Sequence, residues 1–189
     1  MVKVIGIIGS KKGQYSLVHL IQDVKKEPEN QPMHIMINSP GGDVELSFDM
    51  HDYLRGLNRQ IITECRGQCA SAASILFLSG DKRIAGCLVM IHNPWTQAEG
   101  DAQELANASK WTGEFEKRTE KFYSEKTGFD QETISNLMKK ETYIGVETVR
   151  HYLAILKKIC RIAFKRTFRQ TLLCQLSAVK EKGEFAENS

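Results

Sequence analysis

The chain alternates between runs of β-branched residues and stretches with apolar positions at helical spacing. Residues 2–8 are almost wholly apolar and β-branched and predict a strand. Residues 15–24 place Leu17, Val18, Leu20, Ile21 and Val24 on a helical repeat. A charged, proline-containing stretch at 27–32 reads as a loop. Residues 34–37 predict the next strand, which runs into Asn38-Ser39-Pro40-Gly41-Gly42. Residues 43–57 read as a helix carrying Val44, Leu46, Phe48, Met50, Tyr53, Leu54 and Leu57. Residues 61–65 predict a strand, 70–78 an apolar helix of small residues, and 88–91 a strand ending at His92. This succession predicts an α/β fold of repeated βαβ units with a largely parallel sheet. Open sheets of that kind bind ligands beyond the carboxyl ends of their strands.

The pattern changes after Pro94. Residues 95–101 form a polar loop, and 102–126 predict a long polar helix with sparse anchors at Leu105, Trp111, Phe115, Phe122 and Tyr123. A projecting helix of this kind predicts a subunit contact. Gly128-Phe129-Asp130 stops it, and Asp130 caps a short helix bearing Ile134, Leu137 and Met138. Residues 142–156 read as a further turn and helix. Lys157, Lys158, Arg161, Lys165, Arg166 and Arg169 then follow with no acid among them, interleaved with apolar residues. The expected organisation is one domain over 1–156 and a basic helical extension over 157–189 with a frayed end. The extension reads as a docked helix with a solvated basic face, or as a tail for an acidic protein surface.

Composition narrows the functional classes. A chain of 189 residues with 41% hydrophobic residues supports a single packed domain. The net charge of +3, from 26 basic and 23 acidic residues, is too small to argue for nucleic acid. No apolar run approaches the length of about 18 residues needed for a membrane span, and the first residues lack a signal-peptide pattern. The expected location is cytoplasmic. Five cysteines, an odd number, argue against a fully paired disulfide framework. Cys65 and Cys69 have no second ligand pair at metal spacing, and Pro40-Gly41-Gly42 lacks the rest of a phosphate loop. No cofactor or metal is expected.

Three segments carry candidate chemistry. Ser71 stands among Ala70, Ala72 and Ala73 at an expected helix start, where backbone N–H groups are free to stabilise an oxyanion. A serine hydroxyl becomes a nucleophile only when a neighbouring base takes its proton. His92, at a strand end stiffened by Asn93-Pro94, is the candidate base. Gly41 and Gly42 permit a turn closed to other residues, with the Gly42 and Ala72 N–H groups as the paired oxyanion donors. Ser74, one helical turn further on, is expected to be packed inside. An acid that would orient His92 is not singled out by spacing: Asp43, Asp81, Asp101, Asp130 and Glu141 all stay open.

The segments Asn38-Ser39-Pro40-Gly41-Gly42, Gly67-Gln68-Cys69-Ala70-Ser71-Ala72-Ala73 and Met90-Ile91-His92-Asn93-Pro94, in that order, resemble the ClpP family of serine peptidases. The resemblance covers roughly residues 2–155. It implies a ClpP/crotonase-like fold with a projecting handle helix, and hydrolysis of a protein or peptide substrate through an acyl-enzyme. It further implies Ser71 as nucleophile, His92 as base, Gly42 and Ala72 as oxyanion donors, and Glu141 at the family's aspartate position. A homo-oligomer, a heptameric ring or stacked rings, is likewise implied. Glu141 with an aromatic following it, Asn93-Pro94-Trp95 and the 98–102 segment look more like the phage and prophage branch, whose members are head maturation (prohead) proteases. Capsid or scaffold protein is then an expected partner. The chain starts almost at its first strand, which argues against docking to an AAA+ unfoldase. Two rival expectations are a catalytically inactive ClpP-like assembly protein and a crotonase-like acyl-CoA enzyme, the latter having no need of a serine nucleophile.

Overall fold

A computed structural model describes residues 1–145. The expected domain boundary at 156, the basic extension, and most of the helix expected over 142–156 lie outside them. In chain order the elements are β1 (Val2–Ile5), α1 (Leu17–Lys25), β2 (Met33–Ser39), α2 (Val44–Arg55), β3 (Ile61–Ala70) and α3 (Ala72–Phe77). There follow β4 (Lys82–Ala85), β5 (Val89–Ile91), α4 (Ala102–Thr127), α5 (Gln131–Lys139) and β6 (Thr142–Ile144). The strands form one sheet in the order β1-β2-β3-β5-β6, with β4 also paired to β3. Pairing is parallel except between β5 and β6, which are antiparallel. This is a mixed sheet flanked by helices, consistent with the ClpP fold.

The core follows from the alternation along the strands. Met33, Ile35 and Ile37 of β2 are buried, as are Val2 and Val4 of β1 and Ile61 and Cys65 of β3. Leu20 and Val24 of α1, Phe48, Met50 and Leu54 of α2, and Ile75 and Leu76 of α3 complete it. Each such side chain contributes about 1.5–3 kcal/mol through removal of apolar surface from water. Helix ends are capped as the sequence signals. Asp43 accepts from the Leu46 N–H, Asp130 from the Thr133 N–H, and Asp101 forms a reciprocal box with Glu104. Gly128, at φ 78°, closes α4 in the left-handed conformation.

Four departures from the expectation go beyond a residue or two at the end of an element. Strand β1 stops at Ile5 because Gly6 turns the chain at φ 85°, and Ile8 makes only isolated bridges, to Tyr15 and Gly42. Strand β3 extends to Ala70, so α3 begins at Ala72. Strand β4 was not expected: Lys82-Arg83-Ile84-Ala85 carries two charges and is mostly exposed, so it shows no apolar alternation. At residues 142–144 the chain forms β6 on the edge of β5, at the start of the segment that the sequence reads as a turn.

One irregularity bears on the site. Ile37 pairs with Cys65 but Ser39 pairs with Cys69, so two residues of β2 face four of β3. The surplus loops out as the exposed Arg66-Gly67-Gln68. Gly67 adopts φ 81°, and the Gln68 N–H donates to Asn38 Oδ1 at 3.1 Å. The bulge re-aims the end of β3 and carries the chain into Ser71.

Candidate active site

Ser71 is the junction between β3 and α3. Its backbone is at φ 55°, ψ −129°, a conformation that costs a non-glycine residue about 1–3 kcal/mol. Its N–H donates to Met90 O of β5 at 2.9 Å, which ties the turn to the strand that carries His92. Its side chain makes no capping bond to α3 and is free to engage His92. The distance from His92 Nε2 to Ser71 Oγ is 2.7 Å. With the ring proton on Nδ1, the hydroxyl donates to Nε2, the polarity a general base requires.

His92 follows β5 directly. Its neighbour Asn93 clamps the mount on two sides: the Asn93 N–H donates to Met138 O of α5 at 3.2 Å, and Nδ2 donates to Glu116 of α4 at 2.8 Å. The sequence marks Asn93 only as part of the stiffened turn after His92 and does not single out Glu116 as its support. An amide next to the base was a visible signal, but its partner lies 23 residues away.

The two glycines divide the labour. Gly41 is buried at φ 99°, and a Cβ there would lie 2.6 Å from Ala70 O and 2.7 Å from Ser71 Cβ. Only glycine lets β2 approach the serine turn so closely. Gly42 is exposed at φ 140°, and its N–H makes no hydrogen bond among the described residues. Ala72 is the first residue of α3, so its N–H has no partner within the helix. Ser74 is fully buried and bonded to the Ser71 carbonyl and to Tyr123, which removes it from competition as nucleophile.

Glu141 lies just before β6 at φ 51°. The antiparallel register ends at the pair Ile91–Thr142, so Glu141 and His92 each stand one residue beyond the last pair. Its side chain is exposed, and among the described residues no carboxylate is hydrogen-bonded to His92. Of the other candidate acids, Asp43, Asp101 and Asp130 are occupied as helix caps, and Asp81 pairs with Arg55 and the Ile61 N–H. Among the described residues no cluster of His, Cys, Asp or Glu is placed to hold a metal ion. No described helix is long and apolar enough to cross a membrane.

A serine hydroxyl 2.7 Å from an imidazole nitrogen, at the strand ends of an α/β sheet, is the arrangement of the serine hydrolases as a class. The sequence pattern of the Clp protease family matches residues 9–159, and the chain belongs to that family of serine peptidases. It is 29% identical over 140 residues to an ATP-dependent Clp protease proteolytic subunit of Chlorella vulgaris, covering 72% of this chain and 70% of that protein. It is 29% identical over 133 residues to an ATP-dependent Clp protease proteolytic subunit 1 of Salinibacter ruber, covering 68% of this chain and 57% of that protein.

Proposed function

We propose that the protein is a serine endopeptidase whose nucleophile is Ser71. The observation that carries the reading is the 2.7 Å contact between Ser71 Oγ and His92 Nε2 on a strained, glycine-backed turn. In the proposed reaction Oγ attacks the scissile carbonyl carbon as its proton passes to His92 Nε2. The Gly42 and Ala72 N–H groups stabilise the oxyanion. Collapse breaks the C–N bond, the amine leaves with the proton from His92, and water releases the acyl group by the same steps in reverse order. No metal or nucleotide enters this chemistry. Glu141 is the residue proposed to orient His92.

The wider setting is also a proposal. Family membership supports a ring-forming homo-oligomer acting on protein substrates. The motif residues around Trp95 and Glu141 support a role in phage or prophage capsid maturation, with the basic run from Lys157 to Arg169 meeting an acidic capsid or scaffold surface. The exposed, unbonded carboxylate of Glu141 favours a second reading, a latent site that completes itself only in the assembly.

Fluorophosphonate labelling of the full chain, with each sample sized by native mass spectrometry, tests the proposal. Wild type should label at one site, Ser71→Ala should not label, and His92→Ala should label on the order of 10³-fold more slowly with an unchanged oligomer. A well-assembled wild type that fails to label would overturn the active-enzyme reading.

A further inference from the structure

The hydrogen bonds behind Ser71 reach further than the reacting pair. The Ser71 carbonyl accepts twice, from the Ser74 N–H at 2.9 Å and from Ser74 Oγ at 2.6 Å. Ser74 Oγ in turn lies 2.6 Å from the Tyr123 phenol oxygen. A serine hydroxyl has one proton. It is committed to the carbonyl, which can only accept, so Tyr123 is the donor to Ser74. The order of donation is therefore fixed: Tyr123 to Ser74 to Ser71. Ser74 is 0% and Tyr123 3% exposed, so bulk water does not compete for these bonds. Burial pushes the Tyr123 phenol well above its ordinary pKa, so the donor keeps its proton across any working pH.

The carbonyl that is pinned belongs to the same planar peptide as the Ala72 N–H, which points the opposite way. Fixing Ser71 O therefore aims the Ala72 N–H. The sequence requires no such device at this place: an alanine at 74 and a phenylalanine at 123 would serve an apolar core equally well. Tyr123 comes from α4, 49 residues further along the chain.

We propose that Ser74 and Tyr123 are positioning residues, whose hydroxyls hold the Ser71–Ala72 peptide so that the Ala72 N–H points at the developing oxyanion. This rests on the reading of Ser71 as the nucleophile. Neither hydroxyl touches substrate. Their effect belongs to the transition state, since a misaimed oxyanion donor weakens what forms there and leaves ground-state binding alone.

The test uses full-chain Ser74→Ala, Tyr123→Phe and the double variant. It follows hydrolysis of a fluorogenic peptide, the fluorophosphonate labelling rate, and backbone hydrogen exchange over residues 70–76. Ser74→Ala should lower kcat by roughly 10- to 100-fold with KM within about twofold of wild type. Tyr123→Phe should lower kcat less, and the double variant should be no worse than Ser74→Ala, because Tyr123 acts through Ser74. Exchange over 70–76 should accelerate in all three. A purely structural role would lower thermal stability while leaving kcat per labelled site unchanged, and that result would overturn the inference. Unchanged exchange in Ser74→Ala would overturn it equally. A wild type that neither labels nor hydrolyses sinks the peptidase reading, and the exchange measurement then decides the pinning of the turn by itself.

Discussion

Glu141 and His92 each stand one residue beyond the last β5–β6 pair, yet the carboxylate is exposed and makes no bond to the ring. Proximity set by the backbone and contact set by the side chain are separate things. The proposed orienting role predicts that Glu141→Gln lowers kcat/KM on the order of 10²-fold, since an amide cannot stabilise the imidazolium as a carboxylate does. Glu141→Asp should retain more activity than Gln. Peptide hydrolysis by the two variants checks this, and full activity in the Gln variant would remove Glu141 from the mechanism. At this scale the sequence was legible where chemistry leaves a short-range mark. Ser71 stood out by its small neighbours, His92 by the strand end and the proline after it, and Gly41-Gly42 as a pair. Tyr123 read only as an apolar anchor, because nothing near it in the chain reveals that its hydroxyl meets Ser74.

Between elements, Asp81 is the joint. It precedes β4, accepts from the Ile61 N–H at the start of β3 at 2.8 Å, and pairs with Arg55 at the end of α2 at 2.5 Å. The Ile61 N–H first, and Arg55 after it, hold its carboxyl below the ordinary aspartate pKa. A group whose pKa is lowered by folding contributes stability above its unfolded pKa and loses it as the pH falls through the folded value. Asp81→Asn should therefore melt below wild type at pH 7. The gap between the two should close as the pH drops below about 4, where unfolded aspartate protonates. Thermal melts from pH 7 to pH 2.5 check this, and a constant gap would place the effect elsewhere. The same joint explains why β4 was missed: its registration rests on Asp81 and on pairing with β3, both distant in sequence, while its own four residues look like a charged loop. Strand β6 was missed for a related reason. Three residues carry no period, and only the open edge of β5 makes Thr142–Ile144 a strand. Longer elements were visible because an amphipathic pattern repeats within them, as along α2 and α5.

For the molecule as a whole, α4 is divided. Its buried residues, Thr119 and Tyr123, lie in its second half. The first half buries none and exposes Leu105 and Trp111, the latter at 63%. Trp111 packs edge-on against Phe115 of the same helix and is otherwise in water, so this half of α4 is suited to a neighbouring copy, and the proposed assembly predicts its use. Trp111→Glu should shift native mass spectra from the wild-type oligomer to smaller species while circular dichroism stays unchanged. An oligomer identical to wild type would exclude this half of α4 from the contact. That the long helix exists was readable from its polarity and its Gly128 stop; that only its inner half is buried, against α2 and α3, depends on where the core ends, which periodicity alone does not locate.

The left-handed serine has a consequence for how such a chain drifts through mutation. Glycine occupies the backbone angles of residue 71 without penalty, whereas serine is held there against a preference of about 1–3 kcal/mol. A lineage in which the hydroxyl lay idle would gain stability by a single replacement, with no repacking of the buried α3 behind it. Random change thus pushes steadily toward glycine at this turn, and only a use for the oxygen pushes back.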